Sequence, residues 1–241
     1  FSIDYHGNQD FFRASDFQPD PDGPWAVQIS QFLGTNHHQV TIDTPALVQA
    51  LDAAVRARDL PGMADIDASL YLFSREVKKQ ATVALSGEAA DEIFGGYPWF
   101  RRQEDINAKT FPWMRMFEWR VKLLSEEVRS WIQPQAYLQE RYQEALAEVP
   151  QLAGESPKEA RMRQLLYLSI TRFMPTLLDR KDRMSMAVGL EVRVPYCDHR
   201  LVEYVWNIPW GMKTHRGQLK GILRQALKGV LPPQVLARPK S

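Results

Sequence analysis

Three carboxylates lie close together in this sequence, at Glu88, Asp91 and Glu92, directly after a short apolar run at 83–85. The run is typical of a strand that is covered on both faces. If a helix follows the strand, the spacing i, i+3 and i+4 places all three carboxylates on one face of that helix. Two glycines at 95–96 predict where the helix ends.

Acids in the first turn of a helix interact favourably with the helix dipole, and this structural role is one explanation for the cluster. It does not account for all three acids, because like charges at this spacing repel and no Lys or Arg follows within the next turn. A divalent cation would relieve the repulsion. The turn also lies at the carboxyl end of a strand, where open α/β sheets bind their ligands. We therefore predict a ligand site here, with a metal ion.

A second stretch of the chain concentrates cations, with Arg180, Lys181 and Arg183 among Asp179 and Asp182. One interpretation is a solvated helix end with i, i+4 pairs such as Asp179 with Arg183. The other is a cationic clamp that stabilises charge on a transferring phosphoryl group or a departing pyrophosphate. Carboxylates in one half of the chain and cations in the other suit a nucleotide site between the two portions.

The composition is that of an ordinary globular protein, with 241 residues, 44% of them hydrophobic and 24% charged. The formal net charge of +1 argues against broad electrostatic binding to nucleic acid or to an anionic membrane. No apolar run approaches the roughly 18 residues of a membrane span, and residues 1–10 lack the features of a signal peptide. We expect a cytoplasmic protein with neither nucleic acid nor membrane as a partner.

The elements that must position these residues differ between the two parts of the chain. In the first hundred residues, strand patterns at 1–4, 39–42 and 82–85 alternate with helical patterns at 25–33, 46–58 and 68–79. Such alternation predicts parallel strands with crossover helices. We therefore expect an α/β fold, with a partial parallel sheet in residues 1–100.

Beyond residue 99 the pattern is helical, and no convincing strand is visible. We predict helices there, with a kink or a new start at Pro175, over 111–130, 134–148, 159–182, 201–208 and 219–228. Residues 101–241 are therefore expected to form a mainly α-helical portion of the same domain.

Two further candidates carry less weight. His37 and His38 suggest a metal site, but adjacent residues on a strand point to opposite sides and chelate poorly. Cys197 is the single cysteine, which excludes an intrachain disulfide. It is near His199 in sequence, but a nucleophile pair must meet in space, and a buried inert cysteine is the commoner case.

Residues 86–97 read SGEAADEIFGGY, and residues 182–199 read DRMSMAVGLEVRVPYCDH. The first stretch resembles the SGEGADEIFGGY signature of the glutamine-hydrolysing asparagine synthetase family, and the second resembles its DRMSMAxxLEVRVPFLDH segment. LGTNHH at 33–38 is similar to its LGTxHH step, and Ser2 and Ile3 lie in its TFSI-type strand. The resemblance covers nearly the whole chain.

The resemblance implies an ATP-pyrophosphatase α/β domain, of the adenine nucleotide alpha hydrolase-like type, with a helical extension. It implies a ligase that uses ATP and Mg²⁺ to activate the side-chain carboxylate of aspartate as an acyl-adenylate. Ammonia, supplied from glutamine by a glutaminase domain, would then displace AMP to give asparagine. The expected partners are these small molecules, and the sequence leaves open whether the protein forms a homo-oligomer.

Site residues follow from the matched positions. The resemblance implies that Ile3 contacts adenine through its backbone and that Ser86 and Gly87 line the nucleotide. It assigns to Glu88 both adenylate formation and removal of a proton from the attacking ammonia. It assigns Mg²⁺ binding to Asp91. These roles agree with the chemistry of the residues, because carboxylates suit both Mg²⁺ and proton transfer.

A basic residue of the cluster at 180–183 would neutralise phosphate charge. We favour Arg183 and then Lys181 for this role, although the resemblance does not fix the register of the cluster.

Several features of the family pattern are not found in these residues. Its pyrophosphate loop, SGGxDS, would precede Phe1, and its glutaminase domain begins with a cysteine nucleophile for which Cys197 is no substitute. We therefore expect this chain to be a fragment that is inactive alone. Ala89 replaces the usual Gly, and 61–67 is the least secure match to the family's substrate strip. The sequence therefore leaves the identity of the carboxylate substrate open.

Two alternatives therefore remain. One is a related amide-forming enzyme that acts on another carboxylate, as β-lactam synthetases do. The other is a non-catalytic assembly module, in which the acids and cations form an ion-pair network.

Overall fold

The structure is a computed structural model that describes residues 1–15 and 18–238. Within these ranges it has α/β architecture, with four short strands and many short to medium helices. The strands are β1 (Ser2–Tyr5), β2 (Gln39–Ile42), β3 (Val83–Leu85) and β4 (Glu191–Arg193).

The helices before residue 100 pack around the strands, and those after it form most of the remainder. In the first part they are α1 (Asn8–Phe11), α2 (Gly23–Leu33), α3 (Thr44–Arg58), α4 (Ala64–Lys78) and α5 (Ala90–Phe94). They continue with α6 (Gln103–Asn107), α7 (Phe117–Lys122), α8 (Glu126–Ile132), α9 (Pro134–Ala147) and α10 (Pro157–Leu168). The last are α11 (Met174–Met186), α12 (His199–Trp206), α13 (Trp210–Lys213), α14 (Gly221–Ala226) and α15 (Pro233–Ala237).

The strands form two parallel pairs. β1 pairs with β2 from Ser2 opposite Gln39, and β3 pairs with β4 from Val83 opposite Glu191. The parallel direction agrees with the sequence prediction. However, the prediction of no strand beyond residue 99 is wrong, because β4 lies there. Its sequence is Glu-Val-Arg, so it lacks the apolar run by which a strand is recognised in sequence.

The prediction that β3 is covered on both faces is also wrong for this chain. Leu85 is 75% exposed and Val83 is 39% exposed. In the described residues β3 has only β4 as a neighbour. An apolar run indicates that a strand can be buried, but it does not reveal which other elements are present to cover it.

Helix starts are set by local chemistry. α3 begins at Thr44, as expected for a helix with Pro45 in its first turn. The N-cap is Asp43, whose carboxylate accepts a 2.8 Å hydrogen bond from the amide of Ala46. α4 begins four residues before the predicted start at Ala68. Its C-terminal end leads towards β3.

The long helical pattern at 159–182 is interrupted as Pro175 predicted. α10 is followed by a π-helical turn, Ser169–Phe173, and α11 then begins with Pro175 in its first turn. A wider turn of this kind accommodates the missing amide hydrogen of proline, so the chain remains helical from α10 into α11. The result is that α11 is aimed at α3, α4 and the loop after β3. By contrast, the helix predicted over 111–130 forms only from Phe117.

The part of the core that supports the site joins both portions of the chain. Ile42, Ala54, Ala68 and Leu72 pack with Met184 of α11, which is fully buried. This contact fixes the cationic stretch of α11 against the helices of the first hundred residues. In the described parts of the chain, no helix has the length and apolar character needed to cross a bilayer.

Candidate functional site

The backbone of the loop after β3 determines where Glu88 lies. The amide of Ser86 donates a 2.9 Å hydrogen bond to the carbonyl of Arg193, which extends the pairing of β3 with β4 by one step. Ala89 then adopts the left-handed conformation, with φ of 74°, as the N-cap of α5. Glu88 therefore lies in a turn before the helix. The prediction that Glu88 shares a helix face with the other two acids is wrong for this reason.

Glu88 is paired with a cation from the second portion of the chain. The Nζ of Lys181 lies 3.1 Å from Glu88 Oε1 and 3.3 Å from the hydroxyl of Ser86. Both side chains are largely sheltered, with 19% of Lys181 and 23% of Glu88 exposed. The other carboxylate oxygen, Glu88 Oε2, is buried without a hydrogen-bond partner in the described residues. Glu88 thus keeps one buried oxygen available to accept a proton or a hydrogen bond.

Asp91 is paired with a lysine that the sequence did not single out. The Nζ of Lys220 lies 2.8 Å from Asp91 Oδ1, and about four-fifths of each side chain is covered, with 20% and 18% exposed. Gly96 makes this approach possible, because a Cβ there would lie 1.8 Å from Asp91 Oδ1. Lys220 adopts a left-handed φ of 54° just before α14, and its sequence context carries no signal of this role.

Glu92 differs from the other two acids because it is buried, with 1% exposed. Its Oε1 accepts a 2.5 Å hydrogen bond from the hydroxyl of Tyr97, whose ring stacks on Trp99 at 4.1 Å. Burial raises the pKa of Glu92, and the hydrogen bond from Tyr97 partly opposes that shift. Burial and the nearby Glu92 also raise the pKa of Tyr97. Glu92 therefore serves the packing of α5 rather than the mouth of the site.

The other members of the cationic stretch point elsewhere. Arg183 donates to Asp179 at 2.8 Å, and Arg58 of α3 approaches the other oxygen of the same carboxylate at 2.5 Å. Arg180 contacts the sulfur of Met63 at 3.7 Å. The contacts of Arg58 and Arg180 hold α11 against the end of α3 and the N-cap of α4, whereas the Arg183–Asp179 pair lies within α11. The structure brings Lys181, and not Arg183, to the carboxylate of Glu88.

The remaining predicted binding residues are divided between the two sheets. Ser86 and Gly87 adjoin Glu88, and no atom lies within 4 Å of the position a Cβ would take at Gly87, so its backbone is accessible. Ile3 lies in β1, where it pairs with Val40 and packs against the core at α3 and α4. It therefore lies in a different sheet from β3, the strand that Glu88 follows.

The described residues contain no group of three or more His, Cys, Asp or Glu side chains arranged to hold a metal ion. Mg²⁺ does not require such a group, because it is commonly held by one or two carboxylates together with waters and substrate phosphates. Asp91 offers one carboxylate of this kind, but the ammonium of Lys220 lies 2.8 Å from its Oδ1, so a metal ion would have to share or displace that contact. The His37–His38 pair does not form a metal site, because the ring of His37 hydrogen-bonds to Ser2 and that of His38 stacks on Phe1.

Cys197 lies outside this site. Its thiol is partly buried, and burial together with nearby carboxylates raises its pKa. Its sulfur lies 3.8 Å from the sulfur of Met174. Because a raised pKa disfavours the thiolate, the geometry gives no support to a nucleophile here.

Comparison with known proteins places the chain in a large set of similar sequences. The family model described as asparagine synthase matches residues 1–241. The chain is 54% identical over its whole length to asparagine synthetase [glutamine-hydrolyzing] 3 of Bacillus subtilis, and covers 39% of that protein. It is 32% identical to asparagine synthetase [glutamine-hydrolyzing] 1 of the same organism, over 71% of the chain and 32% of the relative.

A third relative comes from a different organism. The chain is 30% identical to a putative asparagine synthetase [glutamine-hydrolyzing] of Mycobacterium bovis, over 89% of the chain and 37% of that protein. In each case, the chain spans less than two-fifths of the relative's length.

Proposed function

The chain belongs to the asparagine synthase family, and on that premise we propose that its parent protein makes asparagine from aspartate, ATP and ammonia. In the first step, the side-chain carboxylate of aspartate attacks the α-phosphorus of ATP, and pyrophosphate leaves. In the second, ammonia attacks the acyl carbon of β-aspartyl-AMP, and AMP leaves. The ammonia comes from glutamine, through a glutaminase activity outside these residues.

The observation that carries this proposal is the group formed by Glu88, Lys181 and Ser86 at the carboxyl end of β3. In this group the ammonium of Lys181 lies 3.1 Å from the Glu88 carboxylate and 3.3 Å from the Ser86 hydroxyl. The buried Oε2 of Glu88, without a partner in the described part of the chain, suits a base that takes a proton from the ammonium-like nitrogen in the second step. Such a base must be sheltered from water, and Glu88 meets this condition, with 23% of its side chain exposed.

The two lysines have distinct roles in the proposal. The ammonium of Lys181 stabilises negative charge on the α-phosphate and on the departing pyrophosphate, and it is close enough to Glu88 to hold that carboxylate in place. Arg183 instead pairs with Asp179 within α11, one turn away. We therefore prefer Lys181 to Arg183 for the contact with phosphate.

Asp91 is the proposed ligand for Mg²⁺, which when bound neutralises charge on the phosphates of ATP. Lys220 pairs with the same carboxylate at 2.8 Å, and this contact would be shared or exchanged when the ion binds. Ser86 and Gly87 line the nucleotide with a hydroxyl and an open backbone, and the backbone of Ile3 contacts adenine. These assignments are supported by the residue chemistry and the family match, with the Ile3 contact resting on the family match alone.

The test is aspartate-dependent exchange of pyrophosphate into ATP by the full-length protein. Glu88 also acts in adenylate formation, because its carboxylate holds the ammonium of Lys181 in place for the phosphates of ATP. We therefore expect Glu88→Gln to abolish this exchange. Circular dichroism and the melting temperature should stay unchanged, because the substitution keeps the size of the side chain. Glu127→Gln, on the exposed start of α8, removes a carboxylate elsewhere and is expected to retain full exchange. Full exchange in the Glu88→Gln protein would contradict the role of Glu88.

Substrate identity needs its own measurement. AMP release should be followed with aspartate, glutamate and larger carboxylates in turn, with ammonium salt as the nitrogen source. We expect release only with aspartate. Release with another carboxylate, and none with aspartate, would replace this proposal with an amide-forming enzyme of different specificity.

A further inference from the structure

A cavity lined by arginines lies between the segment after α5 and the last helices of the described chain. It encloses about 570 Å³ and is lined by Arg101, Arg102, Arg224 and Arg238. That volume falls within the range of roughly 300–1,000 Å³ that small-molecule sites occupy. The cavity shares no residue with the Glu88 and Lys181 pair, and it plays no part in the function proposed above.

A second cavity of about 470 Å³ adjoins the first through Arg224 and adds Arg216 and Lys228. Of the residues that the structure describes, none with a carboxylate side chain lines either cavity. The chain as a whole carries a net charge of only +1, so this absence of acids is a local feature. Low-dielectric walls of one charge sign focus the field and concentrate small ions of opposite sign.

Arg224 is the central cation of this arrangement. Its guanidinium donates to the backbone carbonyls of Leu219, at 3.0 Å, and Leu236, which fix its position. Within residues 1–15 and 18–238, no carboxylate approaches it to ion-pair distance. Burial lowers its pKa, an effect that the more distant Asp91 partly offsets. Arg224 is therefore a fixed, partly buried cation, and residues 1–15 and 18–238 place no carboxylate at ion-pair distance from it.

The other arginines divide into paired and unpaired groups. Arg238 contacts Asp20 at 2.6 Å, and Arg102 lies 3.7 Å from Asp105, so both are already neutralised in part. Arg101 is exposed, and the described residues offer it no carboxylate at ion-pair distance. Among the described residues, the charge on the cavity wall that no carboxylate compensates is thus that of Arg224 together with Arg101.

We propose that this cavity binds a phosphate group through the guanidinium groups of Arg224 and Arg101. The planar fork of a guanidinium matches the oxygens of a phosphate in pairs, which favours phosphate over a spherical anion. The backbone bonds to Arg224 position one fork before the ligand arrives, so less conformational entropy is lost on binding.

Titration calorimetry of the full-length protein with inorganic phosphate tests the proposal. Arg224→Gln and Arg101→Gln should each weaken binding by about tenfold or more, since each removes a charge-assisted bond. Arg129→Gln, on the exposed surface of α8, removes the same charge outside the cavity and should leave the affinity unchanged. Added salt should weaken wild-type binding more than binding by either cavity variant.

Two further variants keep the result interpretable. Arg224→Lys retains the charge and should retain part of the affinity, even if the loss of bonds to Leu219 and Leu236 lowers the melting temperature. Lys181→Met removes a cation from the site around Glu88 and should leave phosphate binding in the cavity intact. No binding by the wild type at millimolar phosphate, or loss of binding in Lys181→Met alone, would overturn the proposal.

The source of the phosphate group is settled by competition. If AMP displaces inorganic phosphate, and does so less well in the Arg224→Gln protein, the ligand is a nucleotide phosphate. If AMP fails to displace it while pyrophosphate succeeds, the ligand is a free inorganic anion. Both outcomes require the arginine dependence described above, without which the site does not exist.

Discussion

Glu88 and Asp91, at the mouth of the site, differ from the neighbouring Glu92 in burial and in the kind of partner they have. Glu88 and Asp91 each pair with a lysine from the distant second portion of the chain, and each keeps roughly a fifth of its side chain exposed. Glu92 is fully buried, and its partner is the neutral hydroxyl of Tyr97, five residues away.

Because of this difference, Glu88 and Asp91 can exchange their lysine partners for a ligand, whereas Glu92 cannot exchange Tyr97. A partly exposed carboxylate beside an ammonium can turn to a ligand at modest cost, because water and the cation both remain available. A buried carboxylate that loses its side-chain donor is left only partly satisfied, which costs much more. Substitutions at the first two acids should therefore change activity, whereas those at the third should change stability.

The largest expected effect is that of removing Lys181. We predict that Lys181→Met lowers the rate of aspartate-dependent pyrophosphate exchange by about 10²-fold or more, because phosphate charge loses its stabilising cation. Arg183→Met should lower it by less than about tenfold, since Arg183 contacts Asp179 on an exposed face of α11. The reverse order of effects would show that Arg183 is the phosphate contact.

The next effect concerns the pair of Asp91 with Lys220. Gly96→Ala places a methyl group where the Asp91 carboxylate lies, so we predict a loss of stability of about 1–3 kcal/mol and reduced exchange activity. Lys220→Met should reduce activity without that steric cost. Chemical denaturation together with the exchange assay separates the two. Unchanged activity in both variants would mean that this pair is only structural.

For the buried acid, we predict that Tyr97→Phe lowers the free energy of unfolding by about 1–3 kcal/mol, because Glu92 loses its hydrogen-bond donor. Urea denaturation measures this change. Tyr137→Phe is the matched control, since Tyr137 is exposed on α9 and should shift the midpoint little. Equal stability of the two variants would contradict the structural role of the Glu92–Tyr97 bond.

The smallest effect is on the pH dependence of stability. Burial raises the pKa of Glu92 above its ordinary 4.5, so the folded state holds this proton more tightly than the unfolded state. The resulting stabilisation is present below about pH 4.5 and is lost as the pH rises through the raised pKa. As the pH rises through this range, the denaturation midpoint should therefore fall more steeply for the wild type than for Glu92→Gln. Parallel curves would argue against the raised pKa.

Much of the local structure could be predicted from the sequence. The alternation of strands and helices, the helix from Thr44 to Arg58 and the new helix start at Pro175 all follow from short-range chemistry. Their causes, such as hydrophobic periodicity, capping and the missing amide hydrogen of proline, act within a few residues. Such causes can be read without knowledge of the fold.

Other features could not be read in this way. β4 exists because β3 offers it hydrogen bonds, and its Glu-Val-Arg sequence has no strand signal of its own. The helix face expected to hold all three acids does not form, because Ala89 turns the chain and α5 starts only at Ala90. In the first case a contact with another strand, and in the second a backbone turn, produced a structure that the residue pattern does not predict.

The sequence by itself determined the kinds of groups at the site, a cluster of carboxylates after a strand and a cluster of cations far along the chain. Only the tertiary structure decided how they pair, with Lys181 on Glu88, Lys220 on Asp91 and Tyr97 on Glu92. The physical reason is that residue chemistry and spacing are local properties. The choice among several cations depends on distances of about 3 Å, which are set by the packing of α11 and α14.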